Sequence, residues 1–459
     1  MIDKKTPILA NRLAPFVLCL SVVAAPAFAQ SASAPSPQEV EQAFQEVIGK
    51  AGSVEARSKY ASLLVRSGNF EGGIAALEGL LIAPDAPASI RLELAVLYFR
   101  LGSYAISETY LRAALEDPRL DAQQKRQAQS LLREVLGRNQ RSQLSGSVML
   151  GLRSQSNPTS ASDNDLVYYQ GNPVTRGRDA GPKSDTDIHA WANLNHVLDL
   201  DQQNEASIVT SLVAFANHYN SVSSYSNEAG TAKPSDLALI AGSTGLRFKP
   251  MRLTAPALTL RPHLVFGSAA ANGNNYFTAG GWGVDADYRA SETLLLGGVY
   301  ENSRLSFSAR NDIANSAVLG GSRQSVKAYT TIETAANQFL SAELGYVDFD
   351  GNAVYTAYKG PLAKLAYTLI YPSPMSTTGP WTTTFSVNAQ QRDYRGADAT
   401  VDARTVRKDT EWRWSWVNVM PVTQDFSVQL QLDYTNTPSN IPNYTNTNTA
   451  GTLGVVWKY

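Results

Sequence analysis

The sequence predicts an α+β multidomain protein, in which N-terminal tetratricopeptide-like α-helical repeats precede an antiparallel transmembrane β-barrel of about 14 strands. Three observations support this prediction: an N-terminal export signal, a helical region that nearly repeats itself, and a long region of strands with alternating polarity. Charged residues make up 17% of the chain, below the share of about 25% that is typical of soluble domains. The formal net charge of −1 gives no reason to expect a nucleic-acid partner.

Residues 1–29 have the pattern of a secretory signal peptide. A basic start is followed by an apolar stretch at 13–25, and Ala27-Phe28-Ala29 has the small-x-small pattern of a cleavage site. The apolar stretch is too short to cross a bilayer as a helix. We therefore expect 1–29 to be removed by cleavage after Ala29. We expect 30–36 to be a flexible leader.

The next region, 37–141, is predicted to be helical, because its apolar residues recur at intervals of three and four. Within it the sequence nearly repeats itself after 34 residues, which is the tetratricopeptide period. Gly68 and Gly102 are expected in the turns between paired helices. Pro84 and Pro118 are expected to end the second helix of each pair. Further matching positions are Ala61 with Ala95, Leu64 with Tyr98, Arg66 with Arg100, Phe70 with Tyr104 and Leu81 with Leu115.

Helices at about 37–50 and 121–139 are expected to cap the repeats and complete a periplasmic domain. Such arrays usually hold a protein segment on their concave face, although a packing module without a ligand is the alternative. Two arginines one repeat apart would suit an acidic or C-terminal group, or they are simply solvated charges. The candidate partner-binding residues on this face are Arg66, Val96, Phe99 and Arg100.

From 142 to 459 the composition shifts to Thr, Ser, Asn, Tyr and Gly, and the period of apolar residues changes to two. The strands are long enough to cross a bilayer at a tilt. Strands of globular sandwiches are much shorter, which disfavours a secreted β-sandwich or β-helix. We predict strands at about 143–157, 184–198, 205–219, 235–250, 257–270, 275–289, 293–308, 322–335, 338–349, 354–372, 381–394, 407–421, 426–436 and 446–459.

Connections after even-numbered strands are mostly short, and those after odd-numbered strands are often long, as in outer-membrane barrels. The chain ends on the aromatic Tyr459, as substrates of the bacterial barrel-assembly machinery do. We therefore expect an outer-membrane barrel that is surrounded by lipid, assembled by that machinery, and closed by pairing between the strands at Gly146 and Trp457.

The sequence offers little for catalysis, and we expect no enzyme activity, no metal and no cofactor. The four histidines lack metal-ligand spacing. Asp187 and His189 on one strand face resemble the pair of an outer-membrane enzyme, but residues two apart on one face are common in strands. The candidate lumen residues carry both charge signs and fit either a hydrated path or structural ion pairs: Asp187, Asp285, Asp287, Lys327, Glu333, Glu411, Arg413 and Asp433.

The chain resembles the surface lipoprotein assembly modifier family in its architecture and in two segments. Residues 92–104, Leu-Glu-Leu-Ala-Val-Leu-Tyr-Phe-Arg-Leu-Gly-Ser-Tyr, are similar to the repeat segment of that family. The Gly-rich first strand at 146–152 leads to Ser156-Asn157, where Gln155 replaces the family's aspartate. The resemblance implies a translocon that exports or displays protein clients, either lipoproteins or related secreted proteins, with the repeats as their receiver. It implies no catalytic residues.

Two alternative functions stay open at this point. One is an exopolysaccharide export pore, although such pores usually carry many more repeats than the two found here. The other is a general solute channel with a repeat scaffold.

Overall fold

The computed structural model describes residues 35–50, 53–81, 88–138, 140–177, 180–200, 206–220, 234–251, 254–309, 316–375 and 379–459. These residues belong to two compact units, one built of helices and one built of strands. The predicted signal peptide, most of the predicted leader and Pro84 lie outside the described residues. Of the helices in the described ranges, none has the length and apolar character needed to cross a membrane.

Six helices form the helical unit within the described residues: α1 (Pro37–Gly49), α2 (Val54–Arg66), α3 (Phe70–Glu78), α4 (Ala88–Arg100), α5 (Tyr104–Glu116) and α6 (Ala122–Arg138). Ser36 begins α1 with a capping box, since its Oγ accepts from the Glu39 amide at 3.3 Å and its own amide donates to Glu39 Oε2 at 2.8 Å. Gly68 and Gly102 follow α2 and α4 with φ of +84° and +77°. Glycine favours this left-handed region, so the predicted turns are confirmed.

The helical unit packs around two apolar clusters that are related by the repeat. Ala61 lies in the first cluster with Leu77 and Leu94, and Ala95 lies in the second with Leu111. Both alanines are fully buried, which lets the paired helices approach closely. The helices at both ends match the predicted caps in position. Membership of the tetratricopeptide class stays a prediction.

Asp117 links α5 to the chain that follows it, and its charge makes the helical unit sensitive to acid. Hydrogen bonds from the Arg119 side chain and amide, together with the charge of Arg91, lower the pKa of Asp117 to about 2. A carboxyl whose pKa is lowered by folding stabilises the folded state above its unfolded pKa of about 4, and this contribution is lost as the pH falls.

We therefore expect Asp117→Asn to lower the free energy of unfolding of the helical unit at neutral pH, and we expect the difference from wild type to vanish towards pH 2. The measurement is denaturant unfolding of the full chain in detergent, followed by the helical circular dichroism signal across this pH range. A difference that stays constant down to pH 2 would contradict the assignment.

Fourteen strands of the described residues close into an antiparallel barrel in chain order, with the first strand between the second and the last. They are β1 (Ser142–Gln155), β4 (Asp185–Asp199), β5 (Ala206–Tyr219), β6 (Leu237–Phe248), β7 (Leu258–Ala271), β8 (Asn274–Arg289), β9 (Leu294–Phe307), β10 (Gly321–Ala335), β11 (Gln338–Gly351), β12 (Tyr358–Tyr371), β13 (Trp381–Tyr394), β14 (Lys408–Pro421), β15 (Phe426–Thr437) and β16 (Asn446–Lys458). Val148 stands opposite Trp457, so the predicted closure is confirmed. The strand predicted from 354 begins at Tyr358.

The connection between the strands predicted at 143–157 and 184–198 contains an additional hairpin that was not predicted. Its strands are β2 (Leu166–Tyr169) and β3 (Asn172–Thr175). Gln170 and Gly171 form the two-residue turn with φ of +50° and +77°, which is the geometry of a type I′ turn. The aromatic run before a glycine is the sequence signal that could have identified it.

The connections fall into two sets at opposite ends of the barrel, because successive strands are antiparallel. The first and last barrel strands begin and end beside the second set. Among the described residues, one end carries 156–177, 180–184, 220, 234–236, 272–273, 308–309, 316–320, 352–357, 395–407 and 438–445. The other end carries 200, 249–251, 254–257, 290–293, 336–337, 372–375, 379–380 and 422–425.

Candidate functional site

The barrel wall has one apolar face and one polar face. Directly paired residues of antiparallel strands point to the same face, and successive residues of one strand alternate between faces. Leu264, Leu344 and Leu453 lie on the apolar face, where each is more than half exposed. The polar face carries side chains that converge across several strands, as the side chains inside a closed barrel do. It is therefore the inner face.

The predicted lumen residues all fall on this inner face by strand alternation and pairing register. Asp285 stands opposite Arg261, and Glu411 stands opposite Gln390. The full set is Asp187, Asp285, Asp287, Lys327, Glu333, Glu411, Arg413 and Asp433. Their role along a solute path stays a proposal.

A buried cluster joins β1 to its neighbour β4, the second strand of the barrel. Arg153 donates from Nε to Asp187 Oδ2 at 3.0 Å and from Nη2 to Oδ1 at 3.2 Å. Gln155 Nε2 donates to Asp187 Oδ2 at 2.9 Å and to the Tyr219 hydroxyl at 3.1 Å. His189 Nδ1 lies 3.5 Å from Asp187 Oδ1. Because Arg153 and Gln155 occupy the carboxylate, this cluster is a network that ties β1 to β4 and β5.

A second cluster lies on β7, β8 and β9 around His263. Arg261 Nε donates to Asp285 Oδ2 at 2.6 Å. His263 Nδ1 lies 3.5 Å from the same carboxylate oxygen, and its Nε2 lies 3.7 Å from Glu301 Oε1. The side chain of His263 is 1% exposed, whereas that of Glu301 is 34% exposed. Glu301 is therefore the member of this cluster that faces solvent.

Tyr329 on β10 donates a hydrogen bond to Asp287 on β8, across the intervening strand β9. Gly297 lies beneath the tyrosine ring, and a Cβ at this position would come within 2.3 Å of Tyr329 Cζ. The missing side chain lets the ring cross β9 in contact with the backbone. This contact shows that side chains of the inner face interact beyond neighbouring strands.

Three further ion pairs lie on the inner face of β10 to β14. Lys327 Nζ lies 3.6 Å from Glu343 Oε1. Arg392 Nη2 donates to Glu411 Oε2 at 2.7 Å, and Arg413 Nη2 donates to Glu411 Oε1 at 3.3 Å. Arg392 and Glu343 were not among the predicted lumen residues, although each is a charged residue at an inner-facing position of its strand.

The connections 395–407 and 438–445 form an assembly around the β2–β3 hairpin at one end of the barrel. The Gln170 and Gly171 amides donate to the carbonyls of Thr400 and Val401 at 3.0 and 2.8 Å. Asn443 exchanges two hydrogen bonds with the Tyr168 backbone, at 2.8 and 2.9 Å. The hairpin is therefore fixed to the connections 395–407 and 438–445.

Arg407 anchors the base of this assembly. Its guanidinium carbon lies 3.6 Å from the ring centre of Tyr444 and 4.6 Å from that of Tyr394, and the group pairs with Asp409. Cation–π contacts of this kind strengthen when water is excluded. The contacts join the rim of β13 and β14 to the connection that precedes β16.

The helical unit places the predicted partner-binding residues in different environments. Arg66 and Arg100 are exposed at the ends of α2 and α4, and Val96 is half-buried. Phe99 packs against the second apolar cluster, with its ring centre 5.6 Å from that of Tyr104. The two arginines remain the accessible members, and whether they meet a partner stays a prediction.

The described residues contain no group of three or more His, Cys, Asp or Glu side chains placed to hold a metal ion. The charged side chains of the inner face are instead arranged mainly in ion pairs. Their arrangement can offer hydrogen bonds and charge to a solute.

No family model matches this chain, and no curated protein matches it. A solved FadL homologue of Pseudomonas aeruginosa is 10% identical, with 68% of this chain and 90% of that chain covered and a TM-score of 0.39. OccAB3 of Acinetobacter baumannii is 8% identical over 69% of this chain and 99% of that chain, with a TM-score of 0.33. OprB of Pseudomonas putida is 9% identical over 72% and 97%, also with a TM-score of 0.33. Likenesses this low say nothing about what the present chain does.

Proposed function

We propose that this protein is an outer-membrane channel for small hydrophilic solutes, with the helical unit in the periplasm. The observation that carries the proposal is the closed barrel with an apolar outer face and a solvent-accessible polar inner face. Arg413 and Glu301 expose 48% and 34% of their side chains on that inner face. Charges that water reaches inside a barrel are typical of a hydrated path rather than of a dry core.

The outer face supports the membrane part of the proposal. A water-soluble protein rarely exposes an apolar surface of this extent, because it would associate through it. In a bilayer the same surface is solvated by acyl chains, and the closed hydrogen-bonded ring leaves no strand edge in lipid. Tryptophans and tyrosines on the outer face, such as Trp414 and Tyr434, would form the interfacial belts.

The channel function predicts discrete single-channel currents when the full mature chain is inserted into planar bilayers. Removal of 30–141 should leave a conducting barrel if the helical unit is a scaffold, because the lumen charges all belong to strands. Insertion is confirmed separately by protease protection of the barrel. Complete absence of conductance from both inserted forms would overturn the channel function.

Delivery of a protein client to the cell surface is a second candidate function. The exposed Arg66 and Arg100, one repeat apart on the helical unit, favour it, since they would suit an acidic or C-terminal group of a client. Surface proteomics of a deletion strain tests this candidate. Loss of one or more surface or secreted proteins would support it. An unchanged surface proteome would contradict client delivery, and the channel would remain as the proposed function.

A further inference from the structure

The inner face of strands β10 to β14 carries two groups in which one acid lies between two bases. In the first, Glu343 pairs with Lys327 and stands directly opposite Lys364 in the strand register. In the second, Glu411 accepts hydrogen bonds from both Arg392 and Arg413. These six side chains comprise four bases and two acids. With Arg323, Glu333 and Asp409, which lie in the inner register of the same strands, the total is five bases and four acids, a net charge of +1.

Asn388 lies between the two groups. It stands opposite Lys364 on one side and opposite Arg413 on the other, so the three residues form one row across β12, β13 and β14. Neighbouring strands are about 4.8 Å apart. The Lys364 and Arg413 backbones are therefore about 10 Å apart, and their long side chains can converge above Asn388.

The two bases of this row keep hydrogen-bonding capacity for a solute. Lys364 is half-buried and makes no ion pair with any residue that the structure describes. Arg413 has the most exposed side chain among the described inner-face ion pairs, and it shares its single carboxylate partner with Arg392. Asn388 is half-buried beside them with an amide that can donate.

Acidic side chains limit the row on both sides, because Glu343 on β11 stands opposite Lys364 and Asp433 lies beyond Arg413. Asp433 on β15 lies two positions from Thr435, which stands opposite Arg413. Its carboxylate accepts a hydrogen bond from Gln431 at 2.8 Å. The positive row is therefore confined to β12–β14 and does not extend round the whole inner face.

Resting on the proposed channel function, we propose that Lys364, Asn388 and Arg413 form a binding site for the oxyanion of a permeating solute. An ammonium group, a guanidinium fork and an amide donor are the groups that recognise carboxylate and phosphate oxygens. The site makes the channel prefer anions, and it holds oxyanions longer than chloride.

The test measures reversal potentials of the full mature chain in planar bilayers under a potassium chloride gradient at low ionic strength, where charges are least screened. We expect chloride to be more permeant than potassium in the wild type. Lys364→Gln and Arg413→Gln should each lower the chloride-to-potassium permeability ratio by about threefold, as expected for one charge a few ångströms from the ion in water. Lys359→Gln is the matched control, since Lys359 lies on the same strand but on the outer face.

Oxyanion binding is tested by adding inorganic phosphate or acetate to the chloride bath and measuring the block of the current. The half-blocking concentration should rise on the order of tenfold in Arg413→Gln. Asn388→Ala should weaken the block and leave the reversal potential unchanged, because it removes a donor and no charge. Phosphate blocking at lower concentration than acetate identifies a phosphate-bearing solute, and the reverse order identifies a carboxylate.

Glu343→Gln and Glu411→Gln provide the opposite change and should raise the anion preference, so the inference stays testable if a basic variant fails to insert. A conducting wild-type channel that prefers potassium, or an equal loss of preference in Lys359→Gln, overturns the oxyanion site and leaves the channel function intact. Absence of any conductance overturns both.

Discussion

Leu344→Arg should destabilise the barrel in lipid vesicles by about 2–4 kcal/mol, which is the cost of an arginine at mid-depth on a lipid-facing strand. Leu344 lies at the middle of β11 on the outer face, and 67% of its surface is exposed. If acyl chains surround it, the guanidinium must leave water to occupy this position. The free energy of unfolding is measured by urea titration of the barrel in vesicles.

Ser341→Arg on the same strand is the matched control. Ser341 lies on the inner face, where its hydroxyl is 3.0 Å from that of Thr331. An arginine there reaches the polar lumen, and we expect a clearly smaller loss of stability. Equal effects of the two substitutions, or a cost below about 0.5 kcal/mol for Leu344→Arg as on a water-exposed surface, would show that the outer face does not contact lipid.

Arg153→Met should destabilise the barrel by about 3–5 kcal/mol, because it leaves a buried carboxylate without its cationic partner. The Asp187 side chain is 0% exposed, and both of its oxygens accept from Arg153. Gln155 then remains to stabilise the charge through a neutral hydrogen bond, with His189 Nδ1 3.5 Å from the other carboxylate oxygen. Unfolding in detergent with increasing denaturant measures the loss.

The double variant Arg153→Met with Asp187→Asn is the control for this pair. Removing the charge on Asp187 together with its partner should restore much of the lost stability, since an unpaired polar amide is less costly to bury than an unpaired carboxylate. A double variant no more stable than Arg153→Met alone would contradict the role given to the ion pair. It would point instead to packing of the arginine stem, whose guanidinium carbon lies 5.9 Å from the ring centre of Phe215.

The strand number followed from periodicity, because alternation is a local property of each strand. Closure was expected for another reason, since an open sheet would leave a strand edge unpaired in lipid. In a strand such as β15, apolar and polar residues alternate along the sequence, and this alternation stops at each turn. The number of strands can therefore be counted from the sequence. The same alternation assigned Glu411 and Arg413 to the inner face, since the strand period is exactly two residues. The short hairpin of Leu166–Thr175 was missed, because four-residue strands leave too few alternations to detect.

The sequence by itself determined the helix-then-barrel order, the turns at Gly68 and Gly102, and the face on which each charged residue of a strand lies. Only the tertiary structure decided which charges meet. Glu411 lies between Arg392 on the neighbouring strand and Arg413 on its own, and Tyr329 reaches Asp287 across a whole strand. Such contacts depend on strand register and closure, which bring together residues far apart in the chain, and alternation along one strand carries no information about its neighbour.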